Sequence, residues 1–228
     1  MHVTAHDKHC DFFSQNFFIE FEELLTETEA LLLQEKQERV IRRQHTELES
    51  LPLSFADAYR HGIDLWRQDD EIKKLTFSRQ LATLASQLCK EKSLRIACTQ
   101  IWLGGNDPSH FFPHLSNETS LQDLVACQSL AAGVIICLEP ALFPSSEPLH
   151  INSFPIVRGH AAYLSPTFPI PFSTLAQAKG GCYLAIAYIS QTAICTHKPH
   201  LPHSRLLKNL GYSSGDRLKT ETHPVLCR

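Results

Sequence analysis

The two halves of this 228-residue chain cannot fold alike, because nearly all of its helix-breaking residues lie after residue 100. Residues 1–100 hold one proline, one glycine and 30 of the 45 charged side chains, whereas residues 101–228 hold twelve prolines, eight glycines and 15 charges. A helix interior loses about 3 kcal/mol to proline and about 1 kcal/mol to glycine. The front half therefore reads as helices and the back half as strands and turns.

Within the front half, Thr26 followed by Glu29 forms a capping-box pattern that opens an amphipathic helix carrying Leu31, Leu32, Leu33, Val40 and Ile41 and ending near Gln44. Ser54 with Asp57 caps a second helix, in which Phe55, Tyr59, Ile63 and Trp66 fall near helical spacing. A third runs from about Phe77 to Lys90, with Leu81, Leu84, Ala85 and Leu88 on one face. The period then drops to two. Leu94, Ile96 and Cys98 alternate with Arg95, Ala97 and Thr99, and Ile101-Trp102-Leu103 leads into Gly104-Gly105, which predicts a strand ending in a turn.

Further strands are predicted over Leu130–Leu138, Ile151–Val157, His160–Ser165 and Cys182–Ser190, followed by a short helix over His203–Leu210 that Gly211 stops and then an irregular tail. Closely spaced strands without intervening helices favour an antiparallel arrangement over a parallel one. The expected class is α+β. One domain over residues 1–228 would place a helical layer, about 1–92, on one side of a β core, about 93–228.

Composition narrows the function classes. A net charge of −3 with 43% hydrophobic residues excludes intrinsic disorder, and it disfavours nucleic-acid binding, for which no basic excess exists. The longest apolar run, Leu130–Leu138, is far short of a membrane span. Eight cysteines without paired spacing or a secretory pattern predict reduced thiols and a cytoplasmic protein.

Common catalytic signatures are missing. There is no phosphate-binding glycine loop, no dinucleotide-binding turn and no Cys-x-x-Cys pair. Gly211-Tyr-Ser-Ser-Gly215 is one residue too wide for a nucleophile elbow, and a helix cap with a turn explains its glycines. Thirteen histidines make metal binding worth weighing. One cluster holds His2, His6, His9, Cys10 and Asp11, and another holds Cys195, His197, His200 and His203. Both have residue types that ligate zinc or iron, and both are more simply explained as solvated loop histidines. The same richness motivates an alternative function, a metal-responsive DNA-binding transcriptional regulator. Its candidate basic run, Lys36, Arg39, Arg42 and Arg43, is interrupted by Glu35 and Glu38 and reads more simply as a solvated helix face.

The order of elements supplies a sharper comparison. Asp64-Leu65-Trp66 precedes the Leu81–Leu88 helix and the Leu94–Leu103 strand. Next come a His-containing loop, the strand Gly159-His160-Ala161-Ala162-Tyr163-Leu164, the apolar strand Tyr183–Tyr188 and the segment Gly215-Asp216-Arg217-Leu218. From about Phe55 to Leu226 this order resembles the phytanoyl-CoA dioxygenase family of iron(II), 2-oxoglutarate-dependent oxygenases. The resemblance implies a double-stranded β-helix (jelly-roll) core with helices packed on one side. It also implies Fe(II) held by a His-x-Asp pair and a distal histidine, with a basic residue anchoring 2-oxoglutarate.

On those positions the chain departs from the family. In Phe111-Phe112-Pro113-His114-Leu115-Ser116, His114 matches the first ligand and Ser116 stands where the carboxylate belongs. Gly159-His160 replaces the family's Gly-Asp, and Ile170 or Pro171 falls at the distal histidine. Gly181 and Cys182 occupy the place of the basic anchor, with Lys179 the nearest positive charge. His160, 46 residues after His114, is a candidate displaced ligand. The one true His-x-Asp, His9-Cys10-Asp11, precedes the predicted helices and does not fit the barrel position. Fe(II) and 2-oxoglutarate are thus implied by the resemblance but poorly served by the residues. The reading is an oxygenase-like protein lacking the standard activity. Its cavity, lined by Trp102, Phe112, His114, Tyr163 and Phe168, either binds a small molecule or runs another reaction; an ordinary core with one satisfied histidine explains the same residues.

Overall fold

The structure, a computed structural model, describes residues 4–45, 52–105, 112, 114–143 and 154–227. Six strands form one sheet in the order β1-β4-β3-β5-β2-β6, and every pairing is antiparallel. They are β1 Phe18–Phe21, β2 Leu94–Leu103, β3 Leu130–Glu139, β4 Ala161–Leu164, β5 Cys182–Ser190 and β6 Val225–Cys227. The helices are α1 Asp7–Asn16, α2 Glu27–Gln44, α3 Phe55–His61, α4 Asp70–Thr76, α5 Arg79–Cys89, α6 Leu121–Leu124, α7 Phe172–Gln177 and α8 Pro202–Asn209.

Alternation along the strands sorts the side chains into two layers. Val134, Ile136, Leu138, Tyr163, Leu184 and Ile186 join α1, α2 and α5 in one apolar cluster. Ile135, Cys137, Leu164, Tyr183 and Ala185 face the other way, toward α3, α6 and α7. The long strands are buried on both faces: all ten residues of β2 are buried, including the polar Arg95, Thr99 and Gln100. On β2 a bulge between Ile96 and Cys98 inverts the alternation. Before it, Leu94 and Ile96 face the helices; after it, Ile101 and Leu103 do.

Opposite the sheet, single bridges rather than full strands join the covering segments: Ser120 to Pro169, Cys127 to Cys195, and Ile194 to Arg217. Here the second layer departs from the second sheet that a double-stranded β-helix implies.

The capping residues act as read. Thr26 N–H donates to Glu29 Oε2 at 2.8 Å, and Glu29 N–H donates back to Thr26 Oγ1 at 3.2 Å, opening α2. Ser54 and Asp57 do the same for α3. That helix is shorter than its apolar spacing suggests. It stops at Gly62, where a Cβ would lie 1.9 Å from Ile101 Cγ2, so only glycine lets the chain press against β2. The predicted third helix is α5, while α4 before it is not predicted from sequence; the two are separated at Phe77–Ser78, with the Phe77 ring 4.7 Å from that of Trp66. Of the strand predicted over Ile151–Val157, residues 151–153 lie outside the described residues, and 154–157 are irregular. Two peripheral strands, β1 and β6, carry no strong sequence signal.

Candidate functional site

Past the bulge, Cys98, Gln100 and Trp102 line the inner face of β2, beside the small Ala185 and Ala187 of β5. Gln100 Nε2 donates to the carbonyls of Ala58 at 3.0 Å and Tyr59 at 3.3 Å, which pins the end of α3 over the strand. Trp102 meets Phe172 and Phe154 edge-on at 4.8 and 6.2 Å. Its indole N–H is buried with no acceptor among the described residues. Tyr59 and His203 close the space from above, leaving a cavity of about 20 Å3. That is room for a single water.

His203 is fully buried, and its Nδ1 accepts the Ala126 N–H at 3.0 Å. The proton therefore sits on Nε2, beside the Ala97 carbonyl. Burial, reinforced by His223, pulls its pKa down to about 3.

His114 sits half-buried at the rim of this interior, with Nε2 2.9 Å from the Tyr59 hydroxyl. Burial raises the Tyr59 pKa, so the phenol keeps its proton and donates it. Burial and then His200 lower that of His114, which favours its neutral ring beside the Tyr59 hydroxyl. The His200 ring lies 4.8 Å away, Phe112 lies 5.7 Å away, and the Arg60 guanidinium covers Phe112 at 5.2 Å.

The other sequence candidates are dispersed. Ser116 is exposed, its hydroxyl accepting Glu118 N–H at 3.2 Å in a surface turn. Ile170 is fully buried in the inner apolar cluster. Cys182 packs on the helix side of the sheet, where burial raises its thiol pKa well above normal. The Lys179 side chain is exposed, while its backbone exchanges hydrogen bonds with Leu142 at 2.9 and 3.0 Å. His160 stands 3.3 Å from Glu20, on the margin of the sheet beside β1, and does not meet His114. Tyr163 points to the helix layer, where its hydroxyl donates to the Leu81 carbonyl at 3.1 Å, which corrects its assignment to the cavity. Phe168 stacks on Phe18 at 5.2 Å. Of the sequence-predicted lining, only Trp102 faces the cavity, with Phe112 and His114 together at the rim.

Of the amino-terminal histidine cluster, His2 lies outside the described residues, while His6 and His9 cap α1, His6 N–H donating to His9 Nδ1 at 3.3 Å. Among the described residues, no group of three or more His, Cys, Asp or Glu side chains is placed to hold a metal ion. Tyr59 and Gln100 were not legible as site residues, because Tyr59 reads as helix core and the bulge hides the inward turn of Gln100, while His203 was legible only as a member of the carboxyl-terminal histidine cluster.

Neither the protein-family models nor the curated proteins give a match to this sequence. Solved structures do share its fold. The non-heme alpha ketoglutarate dependent carbocyclase SnoK from nogalamycin biosynthesis superposes with a TM-score of 0.66 at 16% identity, covering 97% of this chain and 96% of its own. The alpha ketoglutarate dependent epimerase SnoN, from the same biosynthesis, gives 0.65 at 13% identity, over 97% and 98%. CytC3 with Fe(II) and alpha-ketoglutarate gives 0.54 at 11% identity, over 88% and 83%. At these identities the likeness is one of fold.

Proposed function

We propose that this chain is a phytanoyl-CoA-dioxygenase-like protein on a double-stranded β-helix scaffold that runs no iron(II), 2-oxoglutarate chemistry and works by binding at its aromatic rim. The observation that carries this reading is the fully buried hydrocarbon Ile170, which with Pro171 takes the chain position where the resemblance puts the distal histidine, neither offering a metal-ligating side chain.

Its neighbours point the same way. Ser116 offers a neutral hydroxyl and spends it on a surface turn. The anchor position carries a buried, uncharged Cys182. The cavity beside Gln100 and Trp102, with space for one water, has no room for a five-carbon dicarboxylate. Among the described residues, then, the donor set does not fit the metal and cosubstrate used by the structural neighbours, and no reaction step is assigned through them. What remains chemically distinctive is the rim of Tyr59, Phe112, His114 and His200, which offers ring faces and one neutral imidazole. Aromatic or planar small molecules suit such a surface.

The regulator alternative gains nothing from the basic run, in which Lys36 pairs with Glu71 and the arginines share their surface with Glu35 and Glu38.

Titration of the purified protein with Fe(II), with and without 2-oxoglutarate, tests the reading. The expected result is no cosubstrate-dependent metal binding and no succinate. Stoichiometric Fe(II) binding with succinate release, both lost in His114→Ala, would overturn it.

A further inference from the structure

The bridge between Cys127 and Cys195 is flanked by two hydrogen bonds, Gln128 N–H to the Ile194 carbonyl at 2.9 Å and Thr196 N–H to the Ala126 carbonyl at 3.0 Å. Neither cysteine bonds the other's backbone. In an antiparallel pair this pattern defines the narrow, non-hydrogen-bonded site, where Cα atoms stand about 4.5 Å apart and side chains lie closest. A disulfide needs a Cα separation of roughly 4.4–6.8 Å, so the pair already stands within bonding geometry without backbone movement. The two thiols face each other across this narrow site, close enough that each shifts the other's ionisation.

We propose that Cys127 and Cys195 are a reversible redox pair that closes to a disulfide under peroxide. The Cys195 sulfur is the attacking one, because the neighbouring Cys127 thiol lowers its pKa. Attack on hydrogen peroxide breaks the O–O bond, giving a sulfenic acid on Cys195 and releasing hydroxide, which takes up the thiol proton as water. The Cys127 sulfur then attacks the sulfenic sulfur, forming the S–S bond and expelling a second water. Two thiols and one peroxide thus yield one disulfide and two waters. Exposures of 7% for Cys127 and 3% for Cys195 shut out bulky oxidants, and peroxide, little larger than water, is of the size that such access admits.

Closure ties the segment on either side of Ile194, which also bridges to Arg217, to the chain just before β3. That same segment runs on to His200 at the rim and His203 over the cavity. Oxidation therefore staples the part of the structure that presents the proposed binding surface, although the chemistry stands whether or not that surface binds anything.

Limited peroxide treatment of the full chain, followed by alkylation and peptide mapping by mass spectrometry, tests the pair. The expected product is a Cys127 peptide joined to a Cys195 peptide, returned to two free thiols by dithiothreitol, with trypsin cleavage after Arg205 slowed in the oxidised protein. The proposal is overturned if both cysteines are recovered as free thiols while the half-buried Cys10 is oxidised. It is equally overturned by recovery as unlinked sulfinic acids, or by either cysteine joined to a different partner. Because the mapping is done on the unaltered protein, no variant has to fold; Cys195→Ser serves as a control in which Cys127 stays reduced.

Discussion

Asp64 completes the open side of β2 for Thr99: its Oδ1 accepts the Thr99 N–H at 2.7 Å, and Asp64 N–H donates to the Thr99 carbonyl at 3.0 Å. The last strand, β6, pairs only with the first residues of β2, so beyond it the edge needs other partners. Asp64 supplies them from a left-handed backbone conformation, φ 46°. Its other oxygen holds Arg67 at 2.9 Å, and Arg67 reaches the Thr222 carbonyl at 3.0 Å.

Removing that carboxylate leaves a buried strand N–H without an acceptor and a guanidinium without a counter-charge. Asp64→Ala is expected to cost about 3–5 kcal/mol, the range for breaking one side of a buried pair. Urea unfolding measures it. A loss below about 1 kcal/mol, the level of an exposed pair, would mean that solvent already satisfies these groups.

Acid should destabilise the protein through two histidines. Burial holds His203 near pKa 3, and burial with Arg67 and Arg95 holds His223 near 3, against an ordinary 6.5. Below pH 6.5 the unfolded imidazoles bind protons that the folded ones refuse. Stability is thus full above 6.5 and falls as the pH drops toward 3, by up to about 1.4 kcal/mol per pH unit for each histidine. Urea midpoints between pH 7.5 and pH 5 should decline accordingly, and His203→Gln should flatten the slope. A profile unchanged by that substitution would place the acid sensitivity elsewhere.

Gly104 ends β2 where the chain meets the turn before β5. A Cβ there would stand 1.8 Å from the Gly180 carbonyl oxygen, and that obstacle is backbone. Gly104→Ala is expected to cost about 1–3 kcal/mol by overpacking, read as a lowered thermal midpoint. An unchanged midpoint would show that the turn shifts freely.

Restoring one ligand should not restore a metal site. Ile170→His puts an imidazole into an apolar cluster at a cost of about 1–3 kcal/mol for its unmet hydrogen bonds. Fe(II) affinity should remain that of the parent chain, because Ser116 faces solvent. A tight, stoichiometric iron site in this variant would mean that the ligand positions converge after all.

Much of the sheet was legible because its strands obey local rules. β5 falls on the predicted Cys182–Ser190, and the capping pairs at Thr26 and Ser54 open α2 and α3 in place. Site geometry was harder, because it depends on events with no local signature. The bulge after Ile96 turns Gln100 inward, and Tyr163 follows a strand alternation that leads to the helix layer, although its aromatic character suggested a pocket. Cys127 and Cys195 are 68 residues apart in sequence, and only the bridge between their segments makes them neighbours.

The sheet's two margins also constrain how the chain assembles. Its outer strands, β1 and β6, are the first and last in sequence, and Phe18 finds its partner only at Leu164. Such a connection postpones edge protection until late in synthesis, since β4 must leave the ribosome before its neighbour can dock. Until then β1, its amides unpaired by any other strand, is a template for another copy's nascent strand. Aggregation during expression, rather than instability of the finished fold, is the vulnerability that this strand order builds in.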